Sequence, residues 1–507
     1  MKPDSVSRRD FLAASAAALP APQGRAARPN IVIIMADQHR AGFTRRSGFA
    51  LDTMPALDRL AGRGVAFDRA YTTAPLCVPA RVSMLTGRWP HAHRVRENSG
   101  GAHIVFEQDL FDIARARGYK TALTGKNHSH LTPKKADFWR PYGHLGGWKP
   151  DPPPQQTAEF DKWLEHLNHG CAQEATPFPP ETQLPYRIVS NALEFVRAAA
   201  NDPFLLWVSF PEPHNPYQVP KPYFDMFPPE AVPPRAVGPE GLRGKNFKWQ
   251  WLRELEERTY PGYDQQWRRT KSNYLGMLRL IDDQVARLLS GLDLANTIVV
   301  YLSDHGDYVT DYSLIRKGAG LPEVLTRVPM VWAGAGVRAQ APPDAFVSLA
   351  DVLPTVCDAI GAEAPKGMQG RSLWPLLQGK SYAKEEFRSI YTEVGFGGLH
   401  YTAADAPDFS IAQPKGAPGA ILTFDELNPV TQSGYTKSVR MGDWKLIFDM
   451  MGAGELYNLA ADPYELKNLY GDPRAAEAQS KMLAELLHWT IRTQDTLPTA
   501  RYKTKWK

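Results

Sequence analysis

Residues 74–91, APLCVPARVSMLTGRWPH, place Cys77 two residues before Pro79 and four before Arg81, at the head of a helix-compatible run. Cys77 is one of only three cysteines in the chain. As a plain thiol it is either a nucleophile beside a histidine or an inert buried residue at a helix start. Other residues of chemical type stand at the ends of apolar runs. Asp37 and Gln38 close NIVIIMADQ, and Asp304 and His305 follow the run in NTIVVYLSDHGD. One acid at a strand end is usually a cap or an ion-pair partner. Asp37 meeting the Asp304-His305 pair would instead hold a divalent cation: carboxylate oxygens favour a hard ion, and the histidine leaves its identity open. Lys126 and His128 in TGKNH are two apart, so on extended chain they face the same way. His214 lies in the proline-bracketed PEPHNPY, and Lys317 follows Asp304 by 13 residues. Singly, such a lysine is a solvated surface charge and such a histidine a loop residue. Two lysines, two histidines, an arginine and a cation around one point suit a tetrahedral oxyanion of one or two charges.

The elements that must position these groups are legible as alternation. The run NIVIIMADQ is β-branched and apolar throughout, the pattern of a strand buried on both faces. Similar runs occur at 119–126, 203–210, 296–307 and 328–336, with helical patterns at 55–63, 79–87, 109–117, 185–200, 268–290 and 348–360. Strands alternating with helices predict an α/β fold: a mostly parallel central sheet covered by helices on both faces. Functional groups of such folds gather beyond the carboxyl ends of the strands, where ADQ, TGKNH, FPEPHNP and SDHGD stand. Segments 139–183 and 211–265 are rich in Pro, Trp and Tyr and weak in periodicity, and read as loops walling a cleft. Their tryptophans, Trp148, Trp163, Trp249 and Trp251, suit stacking on a sugar or aryl ring, although packing is the better reading of each one singly. Past residue 380, EFRSIYTEV and TKSVRMGDWKLIFDM read as antiparallel strands with a turn at Gly442-Asp443, and PRAAEAQSKMLAELLHWTIRTQ as an amphipathic helix. The expected division is an export signal at 1–28, a catalytic domain at 29–380 and a smaller α+β C-terminal unit at 381–507.

The signal is read from SRRDFLAASAAALPAP: paired Arg8 and Arg9, an alanine-rich apolar run, then small residues and prolines. This is the pattern of a twin-arginine leader, used by bacterial proteins exported already folded. It implies the twin-arginine export machinery as a partner and a periplasmic or other extracytoplasmic location. Net charge is +5 with no long basic run, which gives no case for nucleic acid. No stretch of about 20 apolar residues argues for a membrane span. Cys77, Cys171 and Cys357 cannot build a disulfide framework. Cys357, with Leu353, Val356 and Ile360 on one helix, is expected in the core.

At these residues the sequence resembles the sulfatase family, within the alkaline-phosphatase-like superfamily, from residue 29 to about 470. The sharpest motif is Cys77-Val78-Pro79-Ala80-Arg81 followed by LTGRWPH; NIVIIMADQ, TGKNH, SDHGDY, Lys317 and the tail GELYNLAADPYELKNL reinforce it. The resemblance implies that a formylglycine-generating enzyme converts Cys77 to an aldehyde, formylglycine. It implies one divalent metal, expected to be calcium with magnesium or manganese as alternatives, held by Asp37, Gln38, residue 77, Asp304 and His305. Arg81 would stabilise the aldehyde hydrate, and Lys126 and Lys317 would grip sulfate oxygens. His128 would assist the hydrate, and His214 would protonate the leaving alcohol. Thr310-Asp311-Tyr312-Ser313 departs from the family's usual loop after SDHGDY.

The implied activity is hydrolysis of a sulfate monoester, of a sulfated carbohydrate or an aryl alcohol. One hydrate hydroxyl attacks sulfur, and the second allows sulfate to be expelled with return of the aldehyde. The nearest rival is a phosphonate monoester or phosphodiester hydrolase on the same scaffold. A binding protein with a dead site and an enzyme using unmodified Cys77 stand further off, because neither accounts for the two lysines and the metal set together.

Overall fold

The computed structural model describes residues 28–98, 103–147, 154–167, 169–200, 202–412 and 425–495. The expected export signal and Trp148 lie outside them. The central sheet has seven strands: β1 (Asn30–Asp37), β2 (Gly64–Ala66), β3 (Lys120–Lys126), β4 (Phe138–Tyr142), β5 (Phe204–Pro213), β6 (Thr297–Ser303) and β7 (Met330–Gly334). Their spatial order is β2-β7-β6-β1-β5-β3-β4. β6, β1, β5, β3 and β4 run parallel; β7 runs antiparallel to them, and the short edge strand β2, antiparallel to β7, returns to their direction.

β1 shows why its sequence carries no polar alternation. Val32, Ile34 and Ala36 enter one core with Leu57 and Leu60 of α1 (Pro55–Gly62) and with Leu275 and Ile281 of the long helix Trp267–Ser290. Ile31, Ile33 and Met35 enter the opposite core with Ala80 and Met84 of α2 (Cys77–Thr86) and with Leu353, Val356 and Cys357 of the helix Val352–Ile360. Both faces are covered, so both phases of the strand are apolar. Cys357 is fully buried in that core as expected.

Two readings of the irregular segments need correction. Residues 139–183 contain most of β4 and a helix, Gln155–Leu167, and residues 211–265 contain a helix, Phe247–Thr259. β4, FWRPY, is an edge strand half-buried throughout, so it has no apolar run to announce it. The helix FKWQWLRELEERT is too charged to show a broad stripe. Its Trp249 and Trp251 are buried among Tyr308, Tyr312 and Phe409, and Trp163 packs on Phe160 and Phe178. These three pack rather than offer open stacking faces.

The C-terminal sheet is a four-stranded antiparallel meander, β8 (Ser389–Val394), β9 (Thr436–Met441), β10 (Trp444–Asp449) and β11 (Gly454–Asn458), covered by the helix Ala476–Thr493. It is joined to the segment after α2 by aromatic packing and one buried carboxylate. Trp89 meets Trp489 at 5.4 Å and Tyr391 at 6.5 Å. Glu393 accepts from the His91 backbone N–H at 2.7 Å and from Tyr391 Oη at 2.6 Å, and its Oε2 lies 2.8 Å from His91 Nδ1. No helix among the described residues is long and apolar enough to cross a membrane.

Burial opposes the charge of Glu393, but His91 and the two tyrosines outweigh it and hold the carboxyl at about 2, below its ordinary 4.5. A depressed carboxyl contributes stability that is complete above the unfolded value and is lost as pH falls toward the folded one. Urea midpoints measured from about pH 6 to about pH 2 should therefore drop below about 4.5 in the natural protein, and Glu393→Gln should be weaker at neutral pH and less pH-sensitive in that window.

Candidate active site

α2 begins at Cys77 itself, two residues earlier than periodicity indicated, and ends at Gly87 with φ of 65°. Cys77 is thus the first residue of a ten-residue helix, in the field of its positive end. The Asn98 side chain accepts the next backbone N–H, from Val78, at 3.1 Å. Cys77 Sγ lies 3.2 Å from His305 Nε2 and 3.7 Å from Asp37 Oδ1. One turn along α2, Arg81 spans both acids: Nε donates to Asp304 Oδ2 at 2.8 Å and Nη2 to Asp37 Oδ2 at 3.1 Å. Its Nη1 donates to Ser209 Oγ at 2.8 Å and Lys126 O at 2.9 Å, which ties the helix to the ends of β3 and β5. Arg81, Asp37 and Asp304 are completely buried.

Asp37, Cys77, Asp304 and His305 bring four donor atoms within 4.8 Å of one another. His305 Nδ1 is 2.8 Å from Gly306 O, a contact that needs its N–H, so Nε2 is the nitrogen that faces the cluster; burial opposes the charged ring, but Asp304 and Cys77 outweigh it and raise its pKa. Two buried carboxylates and an imidazole converging beside residue 77 fit one divalent cation. Gly306 is required here, because a Cβ would stand 1.9 Å from Val324 O. Gln38, with φ of 66°, turns its amide between two other groups: Nε2 donates to Asp307 Oδ2 at 2.5 Å, and Oε1 accepts from Lys317 Nζ at 2.8 Å.

Lysines and histidines gather on another side of the cluster. Lys126 Nζ donates to Asp37 and to His144 Nε2, while Lys317 Nζ reaches His214 Nε2 at 3.2 Å. His214 stands between two cis X-Pro bonds, and its Nδ1 is 2.8 Å from Asn215 O. Burial, His144 and Lys317 hold His214 well below 6.5. Burial and then Lys126 bring His128 down to about 2. Both rings are therefore neutral at ordinary pH. Asp37 is opposed by burial, but Lys126, His144 and Arg81 outweigh it and keep it ionised. Burial and Asp37 raise the Cys77 thiol, yet Lys126, Lys317 and His305 bring it below its ordinary value.

Every residue singled out in the sequence except His128 joins this connected network. His128 stands at its edge, its ring 6.0 Å from that of His144 and its Nδ1 buried without a hydrogen-bond partner. The sequence reading missed His144, His169, Asp307 and Glu426. His144 stacks on His214 with ring centroids 3.9 Å apart, and His169 meets both rings edge-on. Both histidines come from the segment read as a cleft wall, where nothing marked them individually. Asp307 lay inside SDHGD. Glu426 had no motif: it reaches in from the connection between β8 and β9, with Oε1 3.2 Å from Lys317 Nζ and Oε2 3.2 Å from Arg316 Nη1.

The Sulfatase family model matches residues 29–362, and the chain belongs to that family. It is therefore a sulfuric ester hydrolase by family. It is 26% identical over 522 residues to a multifunctional alkaline phosphatase superfamily protein of Trinickia caryophylli, covering 92% of this chain and 96% of the relative. It is 28% identical over 427 residues to an arylsulfatase of Clostridium perfringens, covering 77% and 86%. Among solved structures, a phosphonate monoester hydrolase from Silicibacter pomeroyi shares the fold with a TM-score of 0.72 at 19% identity, covering 92% of this chain and 96% of that one.

Arg81→Ala leaves two buried carboxylates without their shared partner, and should cost about 3–5 kcal/mol in denaturant unfolding. Glu426→Gln removes the charge that orients Lys317. Loss of a charged hydrogen bond is worth about 1.5–3 kcal/mol, so kcat/KM should fall about 10- to 100-fold in steady-state assays, and the melting temperature should fall as well, because buried Arg316 and Lys317 lose their shared carboxylate.

Proposed function

We propose that the protein hydrolyses sulfate monoesters of sugar or aryl alcohols, with residue 77 acting as a formylglycine hydrate matured from cysteine by a formylglycine-generating enzyme. The observation that carries this reading is the position of Cys77: first residue of a helix, against the Asp37-Asp304-His305 donors, with Arg81 one turn behind it. A divalent cation held by Asp37, Asp304, His305 and residue 77, with the Gln38 amide beside it, would acidify a hydroxyl and draw charge from the sulfate oxygens. Calcium is the ion the family resemblance implies, with magnesium or manganese as alternatives, since two carboxylates suit any of these hard ions and the histidine leaves the choice open.

This chain's own groups supply the rest. Arg81 fixes the two carboxylates and the helix start together. Lys126 and Lys317 hold the sulfate oxygens, exchanging present partners for the substrate's. His214 delivers the proton to the leaving oxygen. Its ring is neutral at rest, so it must take up that proton as the substrate's negative charge arrives beside it and favours the charged ring. His128, whose buried Nδ1 has no hydrogen-bond partner, is the candidate base for the residue 77 hydrate. Export to the periplasm through the twin-arginine machinery belongs to the same reading and is carried by Arg8-Arg9 and the apolar run behind them.

A second reading, phosphonate monoester or phosphodiester hydrolysis, is favoured by the multifunctional relative and by the phosphonate hydrolase of the same fold. Rates on 4-nitrophenyl sulfate and 4-nitrophenyl phenylphosphonate separate the two. A higher kcat/KM on the sulfate is expected, with turnover lost in Cys77→Ala and reduced about 100- to 10,000-fold in His214→Asn. A higher kcat/KM on the phosphonate would overturn the sulfatase reading in favour of the second.

A further inference from the structure

An open cavity of about 290 Å³ lies beside the catalytic cluster and has no part in the chemistry above. Its lining includes Gly170, Cys171, Tyr217, Tyr260, Gln266 and Ile315. Three segments serve both places. His169 meets the catalytic histidine rings while Gly170 and Cys171 line the cavity; His214 is catalytic while Tyr217 lines it; Lys317 is catalytic while Ile315 lines it. The wall between them is hydrogen-bonded throughout. Tyr217 N donates to Gly170 O at 2.9 Å, Ala172 N donates to Tyr217 O at 3.0 Å, and Arg316 Nη2 donates to both His169 O and Tyr260 Oη at 2.9 Å. Lys126, Lys317 and His214 are not among the residues that line the cavity. His169, Gly170 and Cys171 are each partly exposed, and this one stretch both meets the His214 ring and lines the cavity.

The lining chemistry selects a ligand class. Tyrosines and Pro261 supply apolar faces, the exposed Gln266 supplies an amide, the Thr259 and Thr270 hydroxyls donate to Leu255 O and Cys171 Sγ and keep acceptor capacity, and no Asp, Glu, Lys, Arg or His is among the lining residues. The volume sits at the small end of ligand sites. Apolar faces with convergent neutral hydrogen-bonding groups match a ring with one flat apolar side and hydroxyls at its rim. We propose that the cavity binds an uncharged sugar ring, the unsulfated neighbour of the residue that carries the ester. The substrate would pass over His169, with its sulfated residue in the catalytic cleft and the next one beside Tyr260 and Gln266. The assignment as a substrate subsite rests on the saccharide form of the function proposed above; the binding itself does not.

Calorimetric titration of the mature, metal-loaded protein with cellobiose and lactose tests the site without any turnover. Saturable binding is expected, weakened at least about tenfold, or about 1.4 kcal/mol, by Gln266→Trp, which plugs the cavity from an exposed helix-start position. In the unmutated protein the same disaccharides should slow alkylation of Cys171, the half-buried thiol of the lining. Binding of 4-nitrophenol but neither disaccharide would overturn the sugar assignment in favour of an aryl site, and binding of neither would overturn the site. For the substrate role, Gln266→Trp should lower the ratio of kcat/KM on a sulfated oligosaccharide to that on 4-nitrophenyl sulfate. An unchanged ratio with disaccharide binding intact in the natural protein would overturn the subsite and leave the sulfatase reading standing.

Discussion

The arrangement depends on one guanidinium. Arg81 lies between two fully buried aspartates and bonds both. Bringing two carboxylates together out of water costs several kcal/mol per ion, and they repel one another. Arg81, bonded to both acids, and Lys126, bonded to the same Asp37 oxygen, offset that repulsion. Arg81 also sits one helical turn from Cys77, so the group that stabilises the acids fixes the start of the helix that presents the reactive residue. The four-residue spacing in Cys77-Val78-Pro79-Ala80-Arg81 is a helical-turn spacing put to that use.

The remaining architecture delivers charges to this point. Parallel strands end together, so β1, β3, β5 and β6 bring Asp37, Lys126, the His214 loop and Asp304 to one edge of the sheet. Neutral groups then set the distances: Gln38 links Asp307 to Lys317, and Ser209 anchors Arg81. The segment between β8 and β9 contributes Glu426, which leaves Lys317 shared among an amide, an imidazole and a carboxylate. In the proposed reaction, a lysine shared among three partners would exchange one of them for a sulfate oxygen.

What could be read in advance follows from these constraints. Strands apolar on both faces announce themselves, so the central sheet and the ends carrying Asp37, Lys126 and Asp304 were legible. The antiparallel direction of β7 was not, because an apolar run carries no sign of direction. β4 was lost because an edge strand of half-buried FWRPY has neither an apolar run nor alternation. His144 and His169 were lost for a different reason: they act through tertiary stacking on His214, and long loops impose no spacing that would mark them. Glu426 is more than 100 positions from its partner Lys317, beyond any local pattern.

The central claim is that this constellation exists to hold residue 77 in a modified form. The most direct measurement is the mass spectrum of the peptide containing residue 77, from active protein produced together with a formylglycine-generating enzyme. The account predicts an aldehyde in place of the thiol, in a fraction of molecules that tracks specific activity from one preparation to the next. A peptide carrying only unmodified cysteine, from protein that turns over sulfate esters at full rate, would contradict it.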